Sequence, residues 1–313
     1  RRAGEGTLDI LVGTHALIQK DVKIANLALA VVDEQHRFGV LQRAALRDNT
    51  SQMPHLLLMS ATPIPRTLAL TVYGDLDTSI IPELPSGRLA IKTRQVPTSR
   101  ASDAEVFLAN EAANGRQAFV VCPLIDESES VLARAATAEF DRLRETTLSH
   151  LRLGLLHGRM SLNEKQKVMD SFRSGELDVL VTTPVIEVGI DVPNATVMMI
   201  QGADRFGLAQ LHQLRGRVGR GEHQSYCLLL SDSLSEDAKA RFNVLLRTND
   251  GFEVAEEDLK LRGPGDHFGT RQSGLPTLKM ANLDDRELLA SARVEAQVLI
   301  EQDPTLGYTP TLA

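Results

Sequence analysis

Residues 210–220 have the sequence Gln-Leu-His-Gln-Leu-Arg-Gly-Arg-Val-Gly-Arg, which brings Arg215, Arg217 and Arg220 close together along the chain. Glycines lie between them, so the backbone can approach a ligand closely. Neighbouring guanidinium groups repel one another unless an anion lies between them, and their planar donors match phosphate oxygens. A solvated basic helix end is the alternative interpretation. Apolar runs on both sides favour phosphate binding, because they tie the cluster to a buried framework.

The pattern formed by Gln213, Gly216, Arg217 and Arg220 resembles the Q-x-x-G-R-x-x-R motif of superfamily 2 helicases. In that family the two arginines reach the γ-phosphate of ATP that a different domain holds. The resemblance therefore implies that Arg217 and Arg220 are catalytic and that Gln213 belongs to the nucleotide site. It also implies an acidic partner that binds Mg²⁺ elsewhere in the chain.

The segment Asp33-Glu34-Gln-His36 follows an apolar run and is a candidate for that partner. At the carboxyl end of a buried strand, Asp33 could hold Mg²⁺ while Glu34 polarises an attacking water. The alternative is a pair of solvated acids that opens the next helix, where the helix dipole favours carboxylates. The segment resembles the DExH motif of superfamily 2, and its continuation through Val40 resembles the RecG branch. The resemblance adds His36 to the predicted catalytic residues.

The composition is that of an ordinary soluble globular protein, with 313 residues of which 42% are hydrophobic and 24% charged. This length accommodates two domains with their own cores. The chain contains neither an apolar run of membrane-spanning length nor a signal peptide, which favours a cytoplasmic protein without membrane contact. Because the first residue is arginine rather than methionine, we expect a piece of a longer chain.

Charge and cysteine usage narrow the possible ligands. The net charge of −7 argues against a broadly basic surface but leaves room for a local basic groove that binds nucleic acid. Cys122 and Cys227 each lie in an apolar run, which predicts buried thiols in a reducing compartment. The eight histidines lack ligand spacing, so we predict no zinc.

Three apolar runs that end in polar residues, at 9–13, 27–33 and 55–60, predict strands of a parallel sheet that are buried on both faces. Further strands are predicted at residues 89–96, 117–122, 153–156 and 179–181, and the last of these is predicted to be buried. Helices are predicted between and after them, and Ser102-Asp-Ala-Glu105 and Ser161-Leu-Asn-Glu164 read as capping boxes. The last helix, residues 284–302, is amphipathic and is expected to pack as a cap on a motor domain.

Several further segments resemble superfamily 2 motifs and imply contacts with nucleic acid or coupling of hydrolysis to movement. The residues concerned are Gly13, Thr14, His15, Ser60, Thr62, His157, Gly158, Arg159, Thr182, Thr183, Arg262 and Arg271. The same resemblance places Gly189 and Asp191 at the nucleotide, where Asp191 could orient an arginine or a ribose. A structural role is the alternative for His157. For Arg262 the alternative is neutralisation of neighbouring acidic side chains.

The resemblance covers essentially the whole chain and implies an α/β fold of RecA-like parallel-sheet motor domains. Residues 1–86 would be the carboxyl-terminal part of a first domain, and residues 87–230 a complete second domain. Residues 231–313 would be a mostly helical translocation module. A phosphate loop of the form G-x-x-x-x-G-K-[ST] and the amino-terminal wedge domain of the RecG branch are missing from this sequence.

The implied function is the motor portion of an ATP-dependent double-stranded DNA translocase that remodels stalled replication forks and recombination junctions. It would use ATP and Mg²⁺, bind branched and double-stranded DNA, and act as a monomer. The sequence also leaves open a transcription-repair coupling translocase and a catalytically inactive DNA-binding fragment. Because the phosphate loop is missing, residues 1–313 alone are expected to be inactive.

Overall fold

The computed structural model describes residues 2–19, 22–33, 54–60, 77–81, 87–122, 129–184, 191–232, 235–262, 286–304 and 307. The chain divides into two compact units, Arg1–Ile64 and Pro65–Ala313. The division into domains at residues 86 and 230 stays a prediction.

The first unit contains two paired strands, β1 (Leu29–Val32) and β2 (His55–Leu58). They run parallel, which confirms the predicted direction. The predicted burial on both faces is wrong, because alternate side chains are exposed and Leu29 is 54% exposed. Successive side chains of a strand point to opposite faces, and in the described part of this unit nothing covers the second face.

The strand predicted at residues 9–13 is absent from this described segment, which has irregular backbone instead. A strand needs a neighbouring strand as its hydrogen-bond partner. In the described part of this unit, β1 and β2 pair with each other, and neither pairs with residues 9–13. The apolar side chains of the run are accordingly exposed, with Ile10 at 81% and Val12 at 89%.

The second unit is built on a parallel sheet of six strands within the described residues, in the order β3-β8-β7-β4-β6-β5. The strands are β3 (Lys92–Val96), β4 (Gln117–Val121), β5 (Leu153–Leu156), β6 (Val179–Thr182), β7 (Ala195–Ile200) and β8 (Tyr226–Leu230). Every side chain of the strands β4, β6 and β7 is buried, which confirms the burial predicted for β6. The edge strand β5 alternates between half-buried and buried positions, whereas the edge strand β3 has only exposed and half-buried positions.

Helices cover both faces of this sheet. Those that pack on it are α1 (Ala101–Ala113), α2 (Glu129–Glu145), α3 (Leu162–Arg173), α4 (Leu208–Arg215), α5 (Glu236–Arg247) and α6 (Gly251–Arg262). A further helix, α7 (Arg286–Gln302), follows them in the chain. Leu108 of α1 and Leu143 of α2 pack with Val120 on one face. The other face packs against α3, α4, α5 and α6. Each fully buried side chain of this size contributes roughly 1.5–3 kcal/mol to folding.

The two predicted capping boxes have different outcomes. The one at Ser161 is confirmed, since its hydroxyl accepts from the Glu164 N–H and its own N–H donates to the Glu164 carboxylate at 2.8 Å. The one at Ser102 is wrong. A 3-10 turn over Thr98–Arg100 runs directly into α1, so the helix begins at Ala101 and Ser102 lies inside it.

Glu105 therefore serves tertiary packing instead of helix capping. It is only 2% exposed and accepts hydrogen bonds from Arg142 Nη2 at 2.5 Å and from the Thr147 hydroxyl. Arg142 also binds Glu139 at 2.6 Å, and the carboxylates raise the pKa of Arg142. A buried carboxylate requires such partners, so this network ties α1 to α2.

The helix predicted at residues 284–302 is confirmed where it is described, as α7, but its expected packing is not seen. Leu288 and Ile300, on which that packing was to depend, are 50% and 55% exposed. A helix propensity and an amphipathic pattern are local properties, and neither specifies which surface the helix meets.

Cys122 and Cys227 are buried free thiols, as the sequence predicts, and burial raises the pKa of each to about 12. Among the described residues, the helices all lack the length and apolar content needed to cross a membrane.

Candidate functional site

Helix α4 carries the motif on which the functional prediction depends. Gly207 donates its backbone N–H to the Gln210 side chain at 3.3 Å, which orders the start of the helix. Leu208, Leu211 and Leu214 are fully buried and anchor it on the sheet. The chain leaves the helix at its last residue and runs as a loop to β8, so residues 216–225 form an anchored loop at the amino end of that strand.

Arg220 lies on this loop beside Asp191. Its Nη1 is 3.3 Å from Asp191 Oδ1, and its Nε donates to the Gly216 carbonyl at 3.3 Å. The Arg220 side chain is 34% exposed and Asp191 is 66% exposed. An ion pair this accessible contributes little to stability, but it holds the guanidinium in place while leaving donors open to a ligand.

Two glycines position the loop. Gly219 has φ +75°, and a Cβ there would lie 2.9 Å from Ile91 Cγ1. A Cβ at Gly221 would lie 2.5 Å from the Pro193 carbonyl oxygen, which belongs to backbone. Pro193 follows Asp191 closely in sequence, so this close approach brings the two halves of the Arg220–Asp191 pair together.

Arg217 and Gln213 are both half-buried. Gln213 lies on α4, and Arg217 lies on the turn that follows, where its N–H donates to the Leu214 carbonyl at 3.0 Å. The structure thus brings Gln213, Arg217, Arg220 and Asp191 to one region of the second unit. Their contacts with a nucleotide stay a prediction.

The structure corrects the interpretation of Arg215 as part of the phosphate-binding cluster. Its side chain is 2% exposed and points inward, where Nη1 donates to the Leu245 and Thr248 carbonyls, each at 2.9 Å. These carbonyls belong to the end of α5, where the last C=O groups lack partners within the helix and favour a cation. Arg215 therefore fastens α4 to the turn between α5 and α6.

His212 accompanies this buried arginine. Arg215 Nη2 is 3.1 Å from His212 Nδ1, and since a guanidinium can only donate, Nδ1 is the acceptor and the ring is neutral. Burial, the charge of Arg215 and the charge of Arg88 lower the pKa of His212 to about 4, although Asp250 opposes the shift. The ring acts as a neutral hydrogen-bond acceptor at neutral pH.

Lowering the pH from 6.5 to 5 is expected to reduce the free energy of unfolding by about 1.5 kcal/mol through His212. The unfolded state binds a proton near pH 6.5, whereas the folded state binds one only near pH 4. The stabilisation is therefore complete above pH 6.5 and is lost as the pH falls. Thermal unfolding at both pH values should show the loss in the wild type and a smaller one in His212→Gln. Equal losses in the two proteins would contradict this assignment.

The carboxyl ends of β5 and β6 carry most of the predicted nucleic-acid contacts of the second unit. Thr182 and Thr183 are 0% and 2% exposed, and the Thr182 hydroxyl donates to the Thr183 carbonyl at 2.8 Å. The Gly158 carbonyl accepts from Lys165 Nζ at 2.6 Å. Strand contacts by these residues stay predictions.

An open cleft of about 560 Å³ lies between α2 and the loop after β5. Its lining consists of Ala133, Arg134, Thr137, Ala138, Asp141, His157 and Arg159. His157 Nδ1 is buried and has no hydrogen-bond partner among the described residues. The cleft thus brings together two of the predicted DNA-contacting residues, His157 and Arg159, and a further cation, Arg134.

In the first unit, Asp33 follows β1 and is exposed, and Ser60 lies just beyond β2. The register pairs Val32 with Leu58, so these two residues lie near the same edge of the sheet. Thr14 caps the 3-10 turn His15–Ile18, since its hydroxyl accepts from the Ala16 N–H at 3.4 Å. Gly13 immediately precedes this turn.

Some predicted residues lie outside the described part of the chain. These are Glu34, His36, Thr62, Gly189 and Arg271, together with the side chains of His15 and Arg262. Their assignments stay predictions.

One charged residue near Arg220 was missed by the sequence reasoning. Arg88 precedes β3 and belongs to no motif, and only the pairing of β3 with β8 brings it near the loop. Burial and the charge of Arg220 lower the pKa of Arg88. The signal available in the sequence was a basic residue close to the predicted domain boundary at residue 86.

Three family models match the chain in succession. Residues 1–71 match the DEAD/DEAH box helicase model, and residues 101–222 match the Helicase conserved C-terminal domain. Residues 248–311 match ATP-dependent DNA helicase RecG, domain 3, C-terminal.

Individual relatives of known identity match the chain along nearly its whole length. The ATP-dependent DNA helicase RecG of Synechocystis is 51% identical over 98% of this chain, and that of Bacillus subtilis is 50% identical over 96%. This chain belongs to the RecG family. It spans 37% and 44% of the length of these two relatives. The family membership confirms the predicted resemblance, including the RecA-like parallel-sheet fold.

A solved structure supports the same family assignment. A RecG bound to a three-way DNA junction is 46% identical, with a TM-score of 0.68, over 92% of this chain and 37% of that protein. The similarity therefore extends from sequence to three-dimensional fold.

Proposed function

We propose that this chain is the motor portion of an ATP-dependent double-stranded DNA translocase that remodels stalled replication forks and recombination junctions. The observation that carries the proposal is the identity of about 50% to RecG helicases along nearly the whole chain. The relative bound to a three-way junction supports branched DNA as the substrate. We further propose that the protein acts as a monomer in the cytoplasm, in DNA repair and recombination.

The side chains fit a nucleotide substrate. Arg217 and Arg220 would stabilise the charge that develops on the transferred phosphoryl group, with Asp191 holding Arg220 in position. Such preorganised donors are effective because they need no rearrangement during the reaction. Glu34 would polarise the attacking water.

The magnesium assignment depends on Asp33. It supplies an exposed oxygen donor, whereas groups of three or more potential metal ligands do not occur among the described residues. One carboxylate suits Mg²⁺, which usually keeps several waters and binds substrate phosphates. When bound, Mg²⁺ would neutralise charge on the β- and γ-phosphates.

The alternatives receive less support. A transcription-repair coupling translocase would share the motor motifs, but the matched model at residues 248–311 is that of RecG. A catalytically inactive DNA-binding fragment remains the expectation only for residues 1–313 by themselves, since their sequence contains no phosphate loop.

The proposal is tested with the full-length protein on a synthetic three-way junction. We expect ATP hydrolysis to rise at least tenfold on adding the junction and to accompany strand separation. Residues 1–313 alone should show no such turnover. Full-length protein that hydrolyses no ATP with DNA would contradict the proposal. Displacement of stalled RNA polymerase without junction unwinding would favour the coupling translocase.

A further inference from the structure

Residues 88–92 are attached to the loop that carries Arg220. The Lys92 N–H donates to the Ser225 carbonyl at 2.9 Å, and Gln224 Nε2 donates to the Ala90 carbonyl at 2.8 Å. Ile91 packs so closely on Gly219 that a side chain there would collide with it. The backbone leading to Arg88 is thus held beside the loop by both hydrogen bonds and packing.

This attachment places Arg88 near the positive charge of Arg220. Arg88 is half-buried, and both its burial and the neighbouring guanidinium lower its pKa. The charge of Arg88 also lowers the pKa of His212 on α4. Arg88 therefore lies within electrostatic range of both the loop and the helix of the arginine motif.

Arg88 and Arg220 differ in their ion pairing. Asp191 pairs with Arg220 and is mostly exposed. In the part of the chain that the structure describes, no carboxylate forms an ion pair with Arg88. Holding two guanidinium groups close together is unfavourable unless an anion joins them, and their forked donors match phosphate oxygens.

We propose that Arg88 is a further phosphate-binding residue, which contacts the phosphates of a bound nucleotide together with Arg220. This inference rests on the proposed function, because that function places a nucleotide at Arg220. A backbone phosphate of DNA would offer the same chemistry. We assign the nucleotide because Arg88 adjoins the arginine motif, whereas the cleft at His157 and Arg159 lies at the opposite, carboxyl edge of the sheet.

The test compares Arg88→Gln and Arg88→Lys in the full-length protein with Arg94→Gln. Arg94 is an exposed arginine of β3, six residues farther along the chain, so it controls for loss of a positive charge. The equilibrium Kd for a fluorescent, non-hydrolysable ATP analogue and the Kd for junction DNA are measured separately. Thermal unfolding without ligand is recorded for each variant.

Arg88→Gln is expected to raise the Kd for the ATP analogue roughly tenfold, with Arg88→Lys intermediate and Arg94→Gln unchanged. The Kd for DNA and the unfolding temperature should stay near those of the wild type. Weaker DNA binding with normal binding of the analogue would assign the phosphate to DNA and overturn the proposal. An unchanged Kd for the analogue would also overturn it, as would a loss explained by lower thermal stability.

These outcomes separate the two proposals. If the wild type binds the ATP analogue but hydrolyses no ATP with DNA, the proposed function fails and the role of Arg88 is still measured by binding of the analogue. If the wild type does not bind the analogue, both proposals fail. If the wild type hydrolyses ATP with DNA but Arg88→Gln binds the analogue as tightly as the wild type does, this inference alone is wrong.

Discussion

Replacing Arg220 with lysine in the full-length protein is expected to lower DNA-stimulated ATP hydrolysis by roughly a hundredfold or more, with DNA binding nearly retained. Lysine keeps the positive charge but cannot donate in a fork to both Asp191 and a phosphate. In the structure Nη1 already faces Asp191 at 3.3 Å and Nε donates to the Gly216 carbonyl, so Nη2 is the nitrogen left for a ligand. Steady-state kinetics with saturating junction DNA would measure the loss.

Arg152→Lys provides the matched control for this substitution. Arg152 also pairs with an aspartate, at 2.5 Å from Asp178, but it precedes β5 at the far edge of the sheet. We expect its hydrolysis rate to remain close to that of the wild type. Near-normal hydrolysis by Arg220→Lys would show that the forked geometry is not used in the reaction.

Replacing Arg215 with alanine is expected to lower the free energy of unfolding by about 3 kcal/mol. The change removes the donor to the Leu245 and Thr248 carbonyls and leaves these groups buried without a partner. It also opens a cavity in a fully packed region. Thermal unfolding would measure the loss, and hydrogen exchange should show faster opening at the junction of α5 and α6.

An exposed arginine supplies the comparison. Arg173 of α3 is 45% exposed and pairs with Asp170 at 3.4 Å, so Arg173→Ala should change stability by only about 0.5 kcal/mol or less. Arg215→Met keeps much of the side-chain volume but removes the donors. Its loss of free energy of unfolding should therefore lie between those of Arg173→Ala and Arg215→Ala. Wild-type stability in Arg215→Ala would mean that the α5 carbonyls do not depend on this cation.

The contrast between Arg215 and Arg220 shows how far the sequence could predict the site. Both arginines belong to one run with glycines, and the spacing suggested that both face a ligand. The packing of α4 decides otherwise, because Arg215 ends a helix whose leucines are buried and is carried inward with them. Arg220 lies beyond the helix on a loop held by glycines, where its side chain meets Asp191.

The two capping boxes give the same lesson for secondary structure. Ser161 and Ser102 have the same local pattern, with glutamate three residues later. Ser161 has extended backbone and caps α3, whereas Ser102 follows a 3-10 turn and lies within α1. Glu105 then pairs with Arg142, because burial against α2 offers a partner that no local pattern shows.

The sequence by itself determined the strands β3 to β6 of the second unit, their alternation with helices, the burial of β6 and the family to which the chain belongs. These depend on hydrophobic periodicity and on motifs, which are local properties of the chain. Only the tertiary structure decided which charged groups meet: Arg220 with Asp191, Glu105 with Arg142, and Arg88 near the arginine loop. The physical reason is that a charged or polar side chain finds its partner through proximity in space, and that proximity arises from strand pairing and helix packing between segments distant in sequence.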